Sequence, residues 1–230
     1  MRRLLLVTPI ITLLLCFSAG RVVADPVTGI LLASNTAGSV ITISNSSLAS
    51  VGSGSITVAA GSTGTFLPLV GMTGSIASAN NTPGPQSITN YINFGPPGFN
   101  LTSINPGVLG SAQCGAAPAP GQACTPAGSI FNLNNNVGNF SVQWTVQGNF
   151  IGTLGEVTPY TGIFTTQIAG NYQQFISGLA AGGTFEVPYS MTFSVSPPTQ
   201  TPEPATLLLI STGLVGIAVK VKRRKKQSTV

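Results

Sequence analysis

The chain of 230 residues contains no histidine, and between Val22 and Val219 it has neither lysine nor arginine. Its acids are four, Asp25, Glu156, Glu186 and Glu203, so charged residues make up only 6% of the whole, against about 25% in an average soluble domain. These absences remove whole classes of chemistry. Ser-His-Asp and Cys-His triads require an imidazole. Lysine-bearing phosphate loops lack their residue, and the usual His/Cys zinc sites cannot be assembled. Glu156 and Glu186 remain as a formal acid and nucleophile for glycoside hydrolysis. Neither has a basic residue or an aromatic cluster near it in the chain, and solvated strand-end carboxylates are the simpler reading. Calcium held by Asn oxygens and one Glu would want an Asp-rich loop, which is missing. No enzyme, catalytic residue, cofactor or metal is therefore expected.

The charges that exist are unevenly placed. A net +5 and a pI near 9.5 would ordinarily suggest a nucleic-acid partner. Here all nine bases lie at the ends: Arg2, Arg3 and Arg21, then Lys220, Lys222, Arg223, Arg224, Lys225 and Lys226. The part that folds has none, so no nucleic acid is expected. Residues 2–24 run from two arginines through an apolar stretch to Val22-Val23-Ala24, the order of a secretory signal peptide. Cleavage is expected between Ala24 and Asp25. Pro9 and the shortness of the apolar stretch argue against a permanent anchor.

At the other end, residues 205–219 carry no charge and are rich in Leu, Ile and Val. As a helix they would measure roughly 22 Å against a ~30 Å hydrocarbon core. Such a helix can insert if flanking lysines snorkel. The six bases in 220–230 then act as a stop-transfer signal and a cytoplasmic tail. Before the apolar run, 197–204 is proline-rich, which favours an extended, solvated strap. Pro202, Glu203, Pro204, Ala205 and Thr206, the Gly-interrupted helix with Gly213 and Gly216, and the basic tail together resemble the PEP-CTERM sorting signal of exported bacterial proteins. Thr201 stands where members commonly have Val. The resemblance implies an exosortase as processing partner, a membrane-inserted intermediate, and a body released or transferred to the cell surface in an exopolysaccharide setting. The same module is found on some ice-binding proteins.

Between the ends, 25–196 is long enough for one domain with a sizeable core. Alternation dominates: Phe140, Val142, Trp144 and Val146 against Ser141, Gln143, Thr145 and Gln147, and again from Phe185 to Val195. Shorter strands are expected at 29–33, 39–44, 55–59, 87–94, 129–133, 150–154 and 161–168, with one helix at 172–180. The pattern predicts an all-β, single sandwich-like domain. Pro188 inside the last run marks an edge or a bulge. An echo at a spacing of 16 residues, Leu32-Ala33-Ser34 and Leu48-Ala49-Ser50, reads as two similar hairpin arms. Residues 105–128 read as a long surface loop holding Cys114 and Cys124. In an exported protein an even count favours pairing; a metal role would lack further ligands. Trp144 is assigned to the core rather than to a sugar platform. The expected role is structural or adhesive, as an extracellular-matrix protein in contact with polysaccharide. An ice- or carbohydrate-binding module is the alternative and a glycosidase a more remote one. Only Thr63-Gly64-Thr65 resembles the Thr-x-Thr array that flat ice-binding faces favour.

Overall fold

The computed structural model describes residues 27–51, 54–96, 98–115 and 117–197. Fourteen strands, one 3-10 turn (Gly64–Leu69) and one helix, α1 (Tyr172–Ala180), make up this body. It is all-β, as the alternation requires.

Eight strands form a barrel-like sheet whose pairing closes on itself. Going round, these are β12 (Val157–Ala169), β14 (Ser190–Val195), β1 (Gly29–Asn35), β4 (Ser55–Val58), β5 (Thr73–Ile76), β7 (Gly84–Asn93), β8 (Gly98–Ile104) and β11 (Asn139–Ile151), which returns to β12. The short strands β10 (Asn132–Asn135) and β9 (Ala123–Cys124) extend the sheet from β11. A second sheet has β13 (Phe185–Val187), β2 (Val40–Ile43), β3 (Ser47–Val51) and β6 (Ala79–Asn80) in that order.

The longest ladder, β11 with β12, pairs thirteen residues from Asn139↔Ala169 to Ile151↔Val157. Its inward residues Phe140, Val142, Trp144, Val146 and Phe150 are buried, so the pattern read from 140 to 146 is the core face. Trp144 is fully buried and stacks on Phe164 at 5.0 Å between ring centres. The expected separate strand at 150–154 does not exist. Gly148 reads as a breaker in the sequence but sits inside β11, and the real turn is at 152–156. Gly148 is required there: a Cβ would strike the Asn100 carbonyl oxygen and the Tyr160 ring. The pairing with β8 also shifts at this point, leaving Thr102 as an extra residue, and such bulges bend a strand enough to help close a barrel.

Two sheets are built from the same strands' halves. β1 runs into β2, and β3 runs into β4; β2 pairs with β3 while β1 pairs with β4. The 16-residue echo is thus the two arms of one long hairpin that crosses from one sheet to the other. The run from Phe185 crosses beside them, β13 pairing with β2 and β14 with β1. Pro188 marks that corner, where a missing N–H costs nothing in either ladder. Strands that switch sheets at a bend commonly make such corners. Asn35 fastens this one. Its amide donates to the Ser39 carbonyl at 2.8 Å, and its Oδ1 accepts from the Tyr189 N–H at 3.2 Å.

One hydrophobic core draws on both sheets, including Ile41, Ile43, Leu48, Ala79 and Val187 from the smaller one. Helix α1 forms at the expected residues. Asn171 caps it, Oδ1 accepting from the N–H groups of Gln173 and Gln174 at 3.1 and 3.2 Å. Its Phe175 packs on Phe131, Phe140 and Phe185. Among the described residues no helix is long and apolar enough to cross a membrane.

Candidate functional site: the sorting segment and the uncharged body

Cys114 and Cys124 form a disulfide, with Cα atoms 5.4 Å apart. Cys124 lies on β9 opposite Leu133 and is fully buried. The bond ties the 105–122 segment to the sheet, and the Tyr172 hydroxyl donates to the Gln113 carbonyl at 3.0 Å from α1. This pairing staples a loop onto the wall of the body.

The two glutamates do not meet. Glu156 belongs to the β11–β12 turn, where its Oε2 accepts from the Leu154 N–H at 3.0 Å. Glu186 is exposed on β13 opposite Thr42. The Thr166 hydroxyl donates to the Pro188 carbonyl, two residues beyond Glu186, whereas Glu156 adjoins Val157. Residues 157 to 166 along β12 span roughly 30 Å at about 3.3 Å per residue. Glycosidase carboxylates stand about 5 to 9.5 Å apart, so these two cannot act as that pair.

The phenols, by contrast, are buried. Burial holds Tyr91 and Tyr160 well above the ordinary phenol range, and repulsion from Tyr160 and Tyr189 adds to the effect at Tyr91. Tyr189 is pushed up to about 12 by burial. All three stay protonated at neutral pH and serve as packing groups.

Part of the outer wall presents rows of hydroxyl and amide. Cross-strand partners Ser34, Ser190, Thr165, Gln143 and Asn132 form one unbroken uncharged rung over five strands. A parallel rung holds Ser194, Thr161, Gln147 and Ser103. Beside it a shallow groove of about 460 Å³ is lined by Gln147, Asn149, Pro159, Thr161 and Ser194 among others. Composition announced abundant Ser, Thr and Asn; only the register shows that they line up across strands. Thr63 and Thr65 lie along β1 and are already engaged, accepting from the N–H groups of Ile30 and Thr28 at 3.1 and 3.3 Å. That Thr-x-Thr is a strand clamp, not an ice-facing array.

The remaining expected site residues are the processing signals. Ala24 and Asp25, Pro202 to Thr206, the apolar run 205–219 and the six bases from Lys220 to Lys226 all lie outside the described residues. Residues 200–225 match the PEP-CTERM protein-sorting motif. The motif covers the proline block, the apolar run and most of the basic cluster, and it supports sorting of this chain to the cell surface by exosortase, a membrane enzyme. No curated protein and no solved structure matches the chain.

Proposed function

We propose that the chain is a non-enzymatic, structural or adhesive protein of the extracellular matrix, delivered by its PEP-CTERM signal. The observation that carries the reading is the sorting motif at 200–225 joined to a body with an uncharged outer wall. The signal peptide is removed after Ala24, the 205–219 helix holds the precursor in the inner membrane, and exosortase cuts near Pro202-Glu203-Pro204. The mature protein is then retained at the surface or released. The body is a single sandwich-like domain, in which the smaller sheet continues from strands of the larger one; the core they share supports this description.

A neutral polysaccharide suits such a wall. Hydroxyl and amide side chains exchange hydrogen bonds with sugar hydroxyls at modest net gain, and without bases the wall has no attraction for acidic polymers. Polysaccharide contact is therefore expected to be weak, repeated along the polymer and insensitive to salt.

The sorting half is tested by replacing Pro202, Glu203 and Pro204 with alanine in a host that has exosortase. An uncut, membrane-retained chain is expected, and an unchanged mature mass refutes it. The adhesive half is tested by retention of the mature protein on matrix polysaccharide from that host. Loss of retention in Asn149→Ala/Thr161→Ala supports the wall as the contact; no retention of the unaltered protein refutes it.

A further inference from the structure

Strand register gathers six exposed apolar side chains toward one end of the barrel, called here its apolar end. β14 leaves the body at Val195, opposite Gly29 and Tyr160. Following the antiparallel pairs round the ring, the same end receives the β11–β12 turn, the β7–β8 turn and the 59–72 segment between β4 and β5. Phe66 of that segment plugs the barrel there, packing on Phe99 and Phe150. Around the plug, Ile30, Leu67, Val70, Met72, Leu154 and Val157 are exposed, Leu154 by 84% and Leu67 by 63%. The other exposed large apolar side chains, Val108, Leu109 and Val137, belong to the opposite half, beyond Ile104 and in the β10–β11 turn. Glu156 is the one acid described at the apolar end, and its carboxylate is turned back onto the Leu154 N–H.

Both ends of the body also lie there, Val27 two residues after the expected signal cut and Pro197 eight before Ala205. Eight extended steps reach at most about 28 Å. A chain anchored through 205–219 would therefore be tethered by this end rather than by the Val137 end. We propose that this end rests on the lipid surface while the chain is anchored, its exposed apolar side chains entering the headgroup boundary. The inference rests on the anchoring reading above. With no lysine or arginine in the body, the contact is apolar rather than electrostatic, so it does not depend on anionic lipid. A handful of side chains holds a free protein poorly, but a short tether raises their effective concentration. Cutting near Glu203 then frees the body from the surface as well as from the anchor.

The test uses the full chain, Cys16 replaced by serine and the disulfide left oxidised, in phosphatidylcholine vesicles. A polarity-sensitive fluorophore is placed at Leu154→Cys or, as an equally exposed control, at Val137→Cys. Brominated lipid is expected to quench the 154 probe several-fold more than the 137 probe, unchanged by added anionic lipid or salt. Leu67→Asp is expected to reduce quenching at 154. Equal quenching at both positions in a chain that floats with the vesicles overturns the inference and leaves anchoring intact. A chain that does not float overturns the anchoring reading and this one with it. A blue-shifted 154 probe that bromine does not quench assigns the patch to a second copy and also overturns it.

Discussion

Gly162 provides the sharpest test of how the body is packed. It faces inward on β12 and pairs across the ladder with Phe193 of β14. The Phe193 ring lies over the glycine: a Cβ on residue 162 would meet its Cε1, with Cδ1 and Cζ at 2.8 Å. The ring has little room to yield, being fully buried with centroids 5.3 Å from Phe99, 5.1 Å from Tyr160 and 5.7 Å from Phe164. Two effects of Gly162→Ala oppose each other. Removing a strand glycine stabilises by about 0.5–1 kcal/mol through the unfolded chain. Forcing a methyl against a packed ring costs about 1–3 kcal/mol. The collision wins, for a net loss of about 1–2 kcal/mol. At about 2–4 °C per kcal/mol for a body of this size, Tm falls by about 2–8 °C. Thermal melts of Gly162→Ala, Phe193→Leu and the double variant complete a cycle. The double variant is expected to recover about 1 kcal/mol relative to the sum of the singles. A Gly162→Ala protein that melts higher than the parent refutes the packing, because it means the glycine was merely loose chain.

Asn35→Ala strands the Tyr189 N–H and the Ser39 carbonyl at the corner, and a loss of about 1–3 kcal/mol is expected in denaturant melts. Replacing Cys114 and Cys124 with serine opens a loop whose closure contributes about 3 kcal/mol in the chain-entropy model; Tm should drop by about 6–12 °C, and reductant should then leave the variant's melt unchanged. The buried phenols set an alkaline limit. Their folded pKa values lie above the unfolded 10.0, so the protonated form favours the fold and stability is intact below pH 10. It falls as pH rises from 10 through 12, by about 1.4 kcal/mol per pH unit for each phenol. Absorbance at 295 nm should therefore rise together with loss of near-UV dichroism, and phenol ionisation without unfolding would contradict their burial.

The strands that could be read from sequence are those with uninterrupted alternation. β8 was hidden because its bulge at Thr102 shifts the phase, so Phe99 and Leu101 point inward and the next buried residue is Ile104 rather than residue 103. β5 is four residues with a glycine at 74, too short to carry a period. In 129–133, Ile130 and Phe131 are buried beside the strand, and pairing starts only at Asn132. The sorting signal was legible for the opposite reason: the motif at 200–225 is one contiguous stretch, so its information lies in residue order. The uncharged rungs and the apolar end come from residues far apart in sequence, and only the long-range register assembles them.

The placement of β14 also bears on force. If the body grips the matrix while its C-terminal end is held, tension enters at Pro197 and passes directly along β14. That strand is bonded on both flanks, six residue pairs to β1 and six to β12. The ladder bonds run across the strand, so a pull along it loads both rows together in shear instead of opening them one at a time. The strand at that end is thus clasped from two sides, which suits an element loaded along its length.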